Sequence, residues 1–336
     1  MLHTPDVLSR IETGLRTCLP AWGLAAESPL RLLTVSENAT YLVEPRTGPP
    51  LVFRVHRPGY HDGTEIQSEL NWILALRAAQ VVRTAAPVPK MDGDYLNSFK
   101  NGDNTHYVAC FAFMPGQAPT VDGRLPEWFR HLGGIAARLH DHVRHFPLPP
   151  NFSRKRWTHD TLIGAAAYWG DWRAAPGLTQ AGRAVLEQAD QALHRGLADF
   201  GTGPDRFGLI HCDMRAANLL VDGEDMTVID FDDCGFCWFG YDFAAAVSFI
   251  EHDPVVPSLM SAWVQGYRAI APLDQAMIDA LPMFVLLRRM QLTAWIASHH
   301  DTATAEQMGP EYTHGTVMLA RQWLTRTTDT CYNSRI

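Results

Sequence analysis

The segment His211-Cys212-Asp213-Met214-Arg215-Ala216-Ala217-Asn218 carries a carboxylate and, five residues on, a carboxamide; a second carboxylate, Asp230, follows twelve residues after the amide. Apolar runs bracket all three: Gly208-Leu209-Ile210 before, Leu219-Leu220-Val221 after, and Thr227-Val228-Ile229 just ahead of Asp230. The layout predicts a loop, a strand, a turn at Asp222-Gly223-Glu224-Asp225 and a second strand ending on Asp230. Such a hairpin puts one carboxylate on a loop with the amide and the second carboxylate beside it. Phosphoryl transfer asks for that set: an Asp to accept the proton of an attacking hydroxyl, and an Asn and an Asp to hold Mg²⁺. Oxygen ligands suit Mg²⁺, which takes one or two carboxylates and leaves its other positions to water and nucleotide phosphates. The competing reading is a hairpin whose polar residues satisfy turn backbone. The spacing Asp-x4-Asn-x11-Asp between apolar strands favours catalysis.

The rest of the chain supplies elements to hold these groups. A helix is expected from Pro5 to Leu19, with Leu8, Ile11, Leu15 and Leu19 on one face. Strand-like runs follow at Leu30-Val35, Thr40-Val43 and Leu51-Val55, the first two joined by the polar tip Ser36-Glu37-Asn38-Ala39. Arg54 stands in the middle of an apolar run, where a charge needs a partner. Glu69, on a helix predicted from Thr64 to Ala79, is the partner offered; the plain alternative is an ion pair at a sheet edge. Asn97 to Asn104 reads as a polar, turn-rich excursion, and His106 to Met114 as a buried strand halted by Pro115-Gly116. That stop divides the chain into residues 1–115 and 116–336. Beyond it helices dominate, at Pro126–His145, Thr179–Phe200, Pro257–Ala269, Gln275–His299 and Glu306–Thr325.

His211, Asp213 and Asn218 match a His-x-Asp-x4-Asn pattern, and Ile229-Asp230-Phe231-Asp232-Asp233 matches Ile-Asp-Phe-Asp-Asp. On these motifs the chain resembles the aminoglycoside phosphotransferase-like kinases. That bacterial branch of the protein-kinase fold includes aminoglycoside, choline and type II homoserine kinases and a stress-response Ser/Thr kinase of the RdoA type. The resemblance implies an α+β, protein-kinase-like two-lobe fold. A small antiparallel-sheet lobe at 1–115 would bind nucleotide, and a mostly helical lobe at 116–336 would carry catalysis and the acceptor.

The same likeness implies Asp213 as catalytic base, Asn218 and Asp230 as Mg²⁺ ligands, and His211, Arg215 and Asp232 as supporting groups. It places Ser36 and Asn38 over the nucleotide phosphates and Arg54 with Glu69 on the α- and β-phosphates. The Ala112 carbonyl and Met114 amide would meet the adenine edge. Most members of the fold carry Lys where Arg54 stands; Arg keeps the charge and grips phosphate bidentately, with a different reach. Asp242 would brace the catalytic loop, a helix N-cap being the other reading. Arg215 would touch the γ-phosphate or an anionic acceptor.

The 336 residues are enough for two lobes with a substantial core, and a net charge of −8 without a long basic run speaks against duplex nucleic acid as a partner. No apolar run approaches the roughly 18 residues of a membrane helix, and the first residues lack a signal-peptide layout, so a cytoplasmic location is expected. Cys234-Gly235-Phe236-Cys237 is a lone pair without a second at zinc spacing, which favours reduced structural thiols. His140, His142 and His145, at a helix end, read as structural or solvent-facing. Asn151 to Trp157 reads as a solvated basic loop.

The expected reaction is transfer of the ATP γ-phosphoryl group to a hydroxyl of a small molecule, with an amino-alcohol, homoserine-like or aminoglycoside-like acceptor, by a monomer or homodimer. The alternatives are a bacterial Ser/Thr protein kinase of the RdoA type and a nucleotide-binding pseudokinase or scaffold.

Overall fold

The computed structural model describes residues 4–35, 37–119, 124–300 and 302–333; Ser36 therefore lies outside the described residues. In chain order the helices are α1 (Pro5–Cys18), α2 (Gly63–Ala78), α3 (Leu125–His145), α4 (His159–Leu162) and α5 (Gln180–Phe200). They continue as α6 (Tyr241–Ala246), α7 (Val256–Arg268), α8 (Gln275–Ser298) and α9 (Ala303–Asn333). The strands are β1 (Leu30–Val35), β2 (Ala39–Val43), β3 (Leu51–Val55), β4 (Leu96–Asn101) and β5 (Asn104–Ala112). Four short ones follow: β6 (Phe207–Ile210), β7 (Leu219–Asp222), β8 (Asp225–Val228) and β9 (Gly235–Trp238).

These elements form two compact units, and neither is one stretch of chain. The first comprises Met1–Ala118, Pro147–Arg154 and Leu219–Asp232; the second comprises Pro119–Phe146, Lys155–Asn218 and Asp233–Ile336. The chain thus leaves the first unit just past Pro115-Gly116 and re-enters it twice.

The first unit is an antiparallel sheet in the order β1-β2-β3-β5-β4. Its core gathers Tyr41, Val43, Phe53, Val55, Val108 and Cys110 from the strands with Ile11 and Leu15 of α1. Gly14 is what lets α1 close on β4, since a Cβ there would lie 2.2 Å from the Phe99 ring. Strand β4 corrects the reading of Asn97–Asn104 as a polar, turn-rich excursion: Leu96–Asn101 pairs residue by residue with β5, and the turn is confined to Gly102-Asp103. Its polar residues suit an edge strand, and Phe99 alone is buried there. Asp62 caps α2 reciprocally, its side chain accepting from the Glu65 amide at 2.8 Å while Glu65 accepts from the Asp62 amide at 3.2 Å.

The hairpin β7–β8 belongs to this unit, and its tip is a two-residue loop with Gly223 at φ 63°. Strand β8 stops at Val228 rather than at Asp230, because Asp230 sits at φ 61°, where a strand cannot continue.

In the second unit α3 packs on α7 through facing glycines. A Cβ on Gly133 would lie 2.0 Å from the Trp263 carbonyl oxygen, and one on Gly266 1.8 Å from that of Arg130. Helix α8 packs against α6 and α9. Within the Cys-x-x-Cys segment the chain enters a strand just after Cys234: Gly235–Trp238 is β9, paired antiparallel with β6. Helix α9 is broken at Gly309, φ 47°, inside the span expected to be one helix. Among the described residues no helix is long and apolar enough to cross a membrane.

Candidate active site

In the first unit Arg54 and Glu69 form the expected pair. Arg54 Nη2 donates to both Glu69 oxygens, at 2.6 and 2.7 Å, and Glu69 is fully buried. Burial pushes the Glu69 carboxyl up, and the guanidinium opposes that shift. The pair is interior, not a solvated sheet-edge contact. Arg54 also reaches further than expected: Nη1 donates to Asp230 Oδ1 at 3.2 Å and lies 3.9 Å from Asp232 Oδ1. One guanidinium therefore links α2 to the segment that follows β8.

Asp230 and Asp232 differ sharply. The Asp230 side chain is 44% exposed and that of Asp232 is 7% exposed. Asp232 Oδ2 accepts from Asn38 Nδ2 at 2.9 Å, and His56 Nδ1 lies 3.3 Å from Oδ1. Burial would raise the Asp232 carboxyl, but Arg54, His56 and His61 hold it well below the ordinary range. His56 is pulled down to about 4 by burial, with Arg54 adding to the effect. Asn38 is occupied on its other side too, its Oδ1 accepting from the Arg57 amide at 3.1 Å. Arg154 corrects the picture of a solvated basic loop: it is buried and donates to the backbone carbonyls of Glu65, at 3.0 Å, and of Asp232. Two carbonyls that need donors draw it inward. Ala112 ends β5, and Met114 is half-buried; among the described residues none accepts a hydrogen bond from the Met114 amide.

In the second unit the loop after β6 turns at Cys212, φ 65°, a strained region for a residue with a side chain. Asp242 holds that turn, its Oδ1 accepting from the Cys212 amide at 2.9 Å. Asp242 is in the first turn of α6, whose N-cap is Gly240, so the alternative of an N-cap does not hold. Its Oδ2 lies 3.0 Å from His140 Nε2, and His140 is fully buried and stacked on Phe239. His140 is therefore structural, while His145 is exposed. Cys212, Cys234 and Cys237 are buried, and burial pushes the Cys212 thiol well up, which makes it inert.

The turn presents Asp213 to three donors. Asn218 Nδ2 donates to Oδ2 at 2.7 Å and to the Asp213 carbonyl at 2.8 Å. Arg215 Nε donates to Oδ2 at 3.2 Å, and Arg288 Nη2 donates to Oδ1. His211, fully buried, accepts from the Asp213 amide at 3.3 Å. Burial would raise the Asp213 carboxyl; Arg215, Arg288 and His211 outweigh it and keep the group ionised.

Arg288 was not anticipated. It stands in the apolar stretch Leu286-Leu287-Arg288-Arg289-Met290, and the rule that paired Arg54 with Glu69 applies to it equally. His56, His61 and Arg154 also escaped the sequence, having no distinctive spacing. In the second unit Asn218 commits its Nδ2 to Asp213, and in the first unit Asp230 offers a half-exposed carboxylate; carboxamide and carboxylate oxygens are the ligand types a hard cation takes.

Residues 31–276 match the model of the phosphotransferase enzyme family (APH). The chain belongs to that family and is an aminoglycoside phosphotransferase-like kinase. The structure of a microcompartment-associated aminopropanol kinase is 40% identical, with a TM-score of 0.87 over 93% of this chain and 97% of that one. Amicoumacin kinase of Bacillus subtilis (strain 168) is 23% identical over 290 residues, 83% of each chain. The amicoumacin kinase hAmiN in complex with AMP-PNP, Ca²⁺ and Ami is 21% identical, with a TM-score of 0.77 over 93% of this chain and 95% of that one.

Proposed function

We propose that this kinase transfers the γ-phosphoryl group of ATP to the hydroxyl of a small amino alcohol, with Mg²⁺ as cofactor. The chemistry rests on one observation, the buried Asp213 carboxylate held by Asn218, Arg215 and Arg288. In that role Asp213 orients the hydroxyl and takes its proton. A base this weak suits phosphoryl transfer, whose loose transition state lets the proton leave late. Asn218 Oδ1 and Asp230 would hold the Mg²⁺, which neutralises phosphate charge when bound. Arg54, kept in place by Glu69, would orient the α- and β-phosphates, with Asn38 over them and the Ala112 carbonyl and Met114 amide at the adenine. His211, Asp232 and Asp242 support these groups.

The choice of acceptor is supported by the likeness to the aminopropanol kinase, the more similar of the two solved relatives described. Purified protein with ATP and a panel of aminopropanol, ethanolamine, homoserine, an aminoglycoside and a generic protein acceptor tests it. A phosphate ester is expected on the amino alcohols, and Asp213→Ala should reduce it about 10²–10⁴-fold while ATP binding persists. Near-normal turnover in that variant would remove Asp213 from its role. Phosphorylation of the protein acceptor alone would replace the small-molecule reading.

A further inference from the structure

We propose that Arg288 is a positioning residue for phosphoryl transfer, fixing Asp213 so that Oδ1 is the oxygen that takes the acceptor's proton. This rests on Asp213 being the base. An ionised carboxylate has about four lone-pair positions, two on each oxygen. Oδ2 is occupied twice, by Asn218 Nδ2 at 2.7 Å and Arg215 Nε at 3.2 Å. Oδ1 receives a single donor among the described residues, Arg288 Nη2, and so keeps one position for an incoming hydroxyl. The acceptor oxygen then attacks the γ-phosphorus as its O–H proton passes to Oδ1. The new O–P bond forms, the bond to the bridging oxygen of ATP breaks, and that electron pair leaves on ADP.

Arg288 is itself held on every side. Its side chain is 2% exposed; Nε donates to Ser248 Oγ at 3.0 Å, and Nη1 lies 3.4 Å from both the Cys212 carbonyl and Gln291 Oε1. Gln291 is anchored in turn by the Tyr241 hydroxyl, and the guanidinium lies 5.1 Å from the centre of the Trp169 ring. One arm therefore grips the main chain of the residue before the base while the other grips the base. The planar fork makes this possible, and an ammonium could not reproduce it.

Arg289 is the built-in comparison. It is adjacent in α8 and equally buried, but it donates to Glu251 Oε2 at 2.7 Å, the Tyr312 carbonyl at 2.9 Å and Thr316 Oγ1 at 2.9 Å. Its contacts are those of a purely structural ion pair.

The full-length variants Arg288→Ala, Arg288→Lys and Arg289→Lys are compared by kcat and KM with ATP and the acceptor panel, by melting temperature and by Mg·ATP calorimetry. Arg288→Ala should lose about a hundredfold in kcat with KM for ATP within about twofold, and added guanidinium should restore part of the loss. Arg288→Lys should lose at least about tenfold with ATP affinity intact. Arg289→Lys should melt lower with kcat unchanged. If Arg288→Ala does not fold, Arg288→Lys decides alone. Wild-type kcat in folded Arg288→Lys or Arg288→Ala overturns the inference and leaves the function standing. Absence of wild-type turnover with every acceptor overturns both.

Discussion

Asp230 and Asp232 are two residues apart and share Arg54, yet their burial differs sharply. Asp232 is enclosed by Asn38, His56 and Arg54, whereas Asp230, at φ 61°, turns a half-exposed carboxylate outward. The two should respond differently to mutation. Asp230→Ala leaves Arg54 paired with Glu69, so stability should change by less than about 1 kcal/mol, while Mg·ATP affinity falls at least about tenfold. Calorimetry with and without Mg²⁺ checks this, and unchanged Mg²⁺-dependent affinity would count against Asp230 as a ligand. Glu69→Ala removes the partner of a buried charge and should destabilise the protein by about 3 kcal/mol, read by urea unfolding. The Arg54–Glu69 pair was legible because a charge in a strand demands a partner. Arg288 obeys the same rule, but nothing in its neighbourhood pointed to a carboxylate 75 positions away.

The long amphipathic helices and the strands β1, β2 and β3 were legible from apolar spacing, since each buries a face whose period is written in the chain. Strands β4 and β9 were not. Strand β4 lies at a sheet edge with polar residues outward, and β9 is four residues long and pairs with β6 across an intervening stretch of loop and hairpin. Helix crossings are equally invisible to periodicity: α3 and α7 meet through Gly133 and Gly266, where a side chain would strike backbone carbonyls. Carbonyls in packed helices cannot rotate away as side chains do. Gly266→Ala should therefore destabilise the second unit by about 1–3 kcal/mol, measured as a lowered urea midpoint, whereas the neighbouring exposed position Gln265→Ala should change little. Equal effects at the two sites would show that the crossing has slack.

Across the molecule, the units are discontinuous in sequence, and the motif Asp213–Asp230 spans the passage from one to the other. Stability should also depend on pH, with a large contribution from the buried His56 beside those of His106 and His140, which burial also pulls down. His56 titrates near 4 in the folded protein, below its ordinary 6.5, so the native state stays neutral while the unfolded chain takes up a proton. Folding stability should then fall as pH drops from about 6.5 to about 4, by on the order of 3 kcal/mol. The Asp232 carboxylate, held below its ordinary value of 3.8, contributes stability above that pH and loses it on further acidification. Urea unfolding across this range checks the slope, which His56→Gln should flatten; an unchanged slope would assign it to other groups.

The spacing of Asp213, Asn218 and Asp230 around one short hairpin, on which the proposed phosphoryl-transfer roles rest, was legible in the chain alone because spacing on that scale is a local property. The α+β character followed for the same reason, from faces that repeat every two or every few residues. The anchoring of Asp213 by Arg288, the 102-position link from His140 to Asp242 and the enclosure of Asp232 became visible only in three dimensions. Each is a pairing between distant side chains that burial forces together, and burial leaves no period in the sequence that records which partner was chosen.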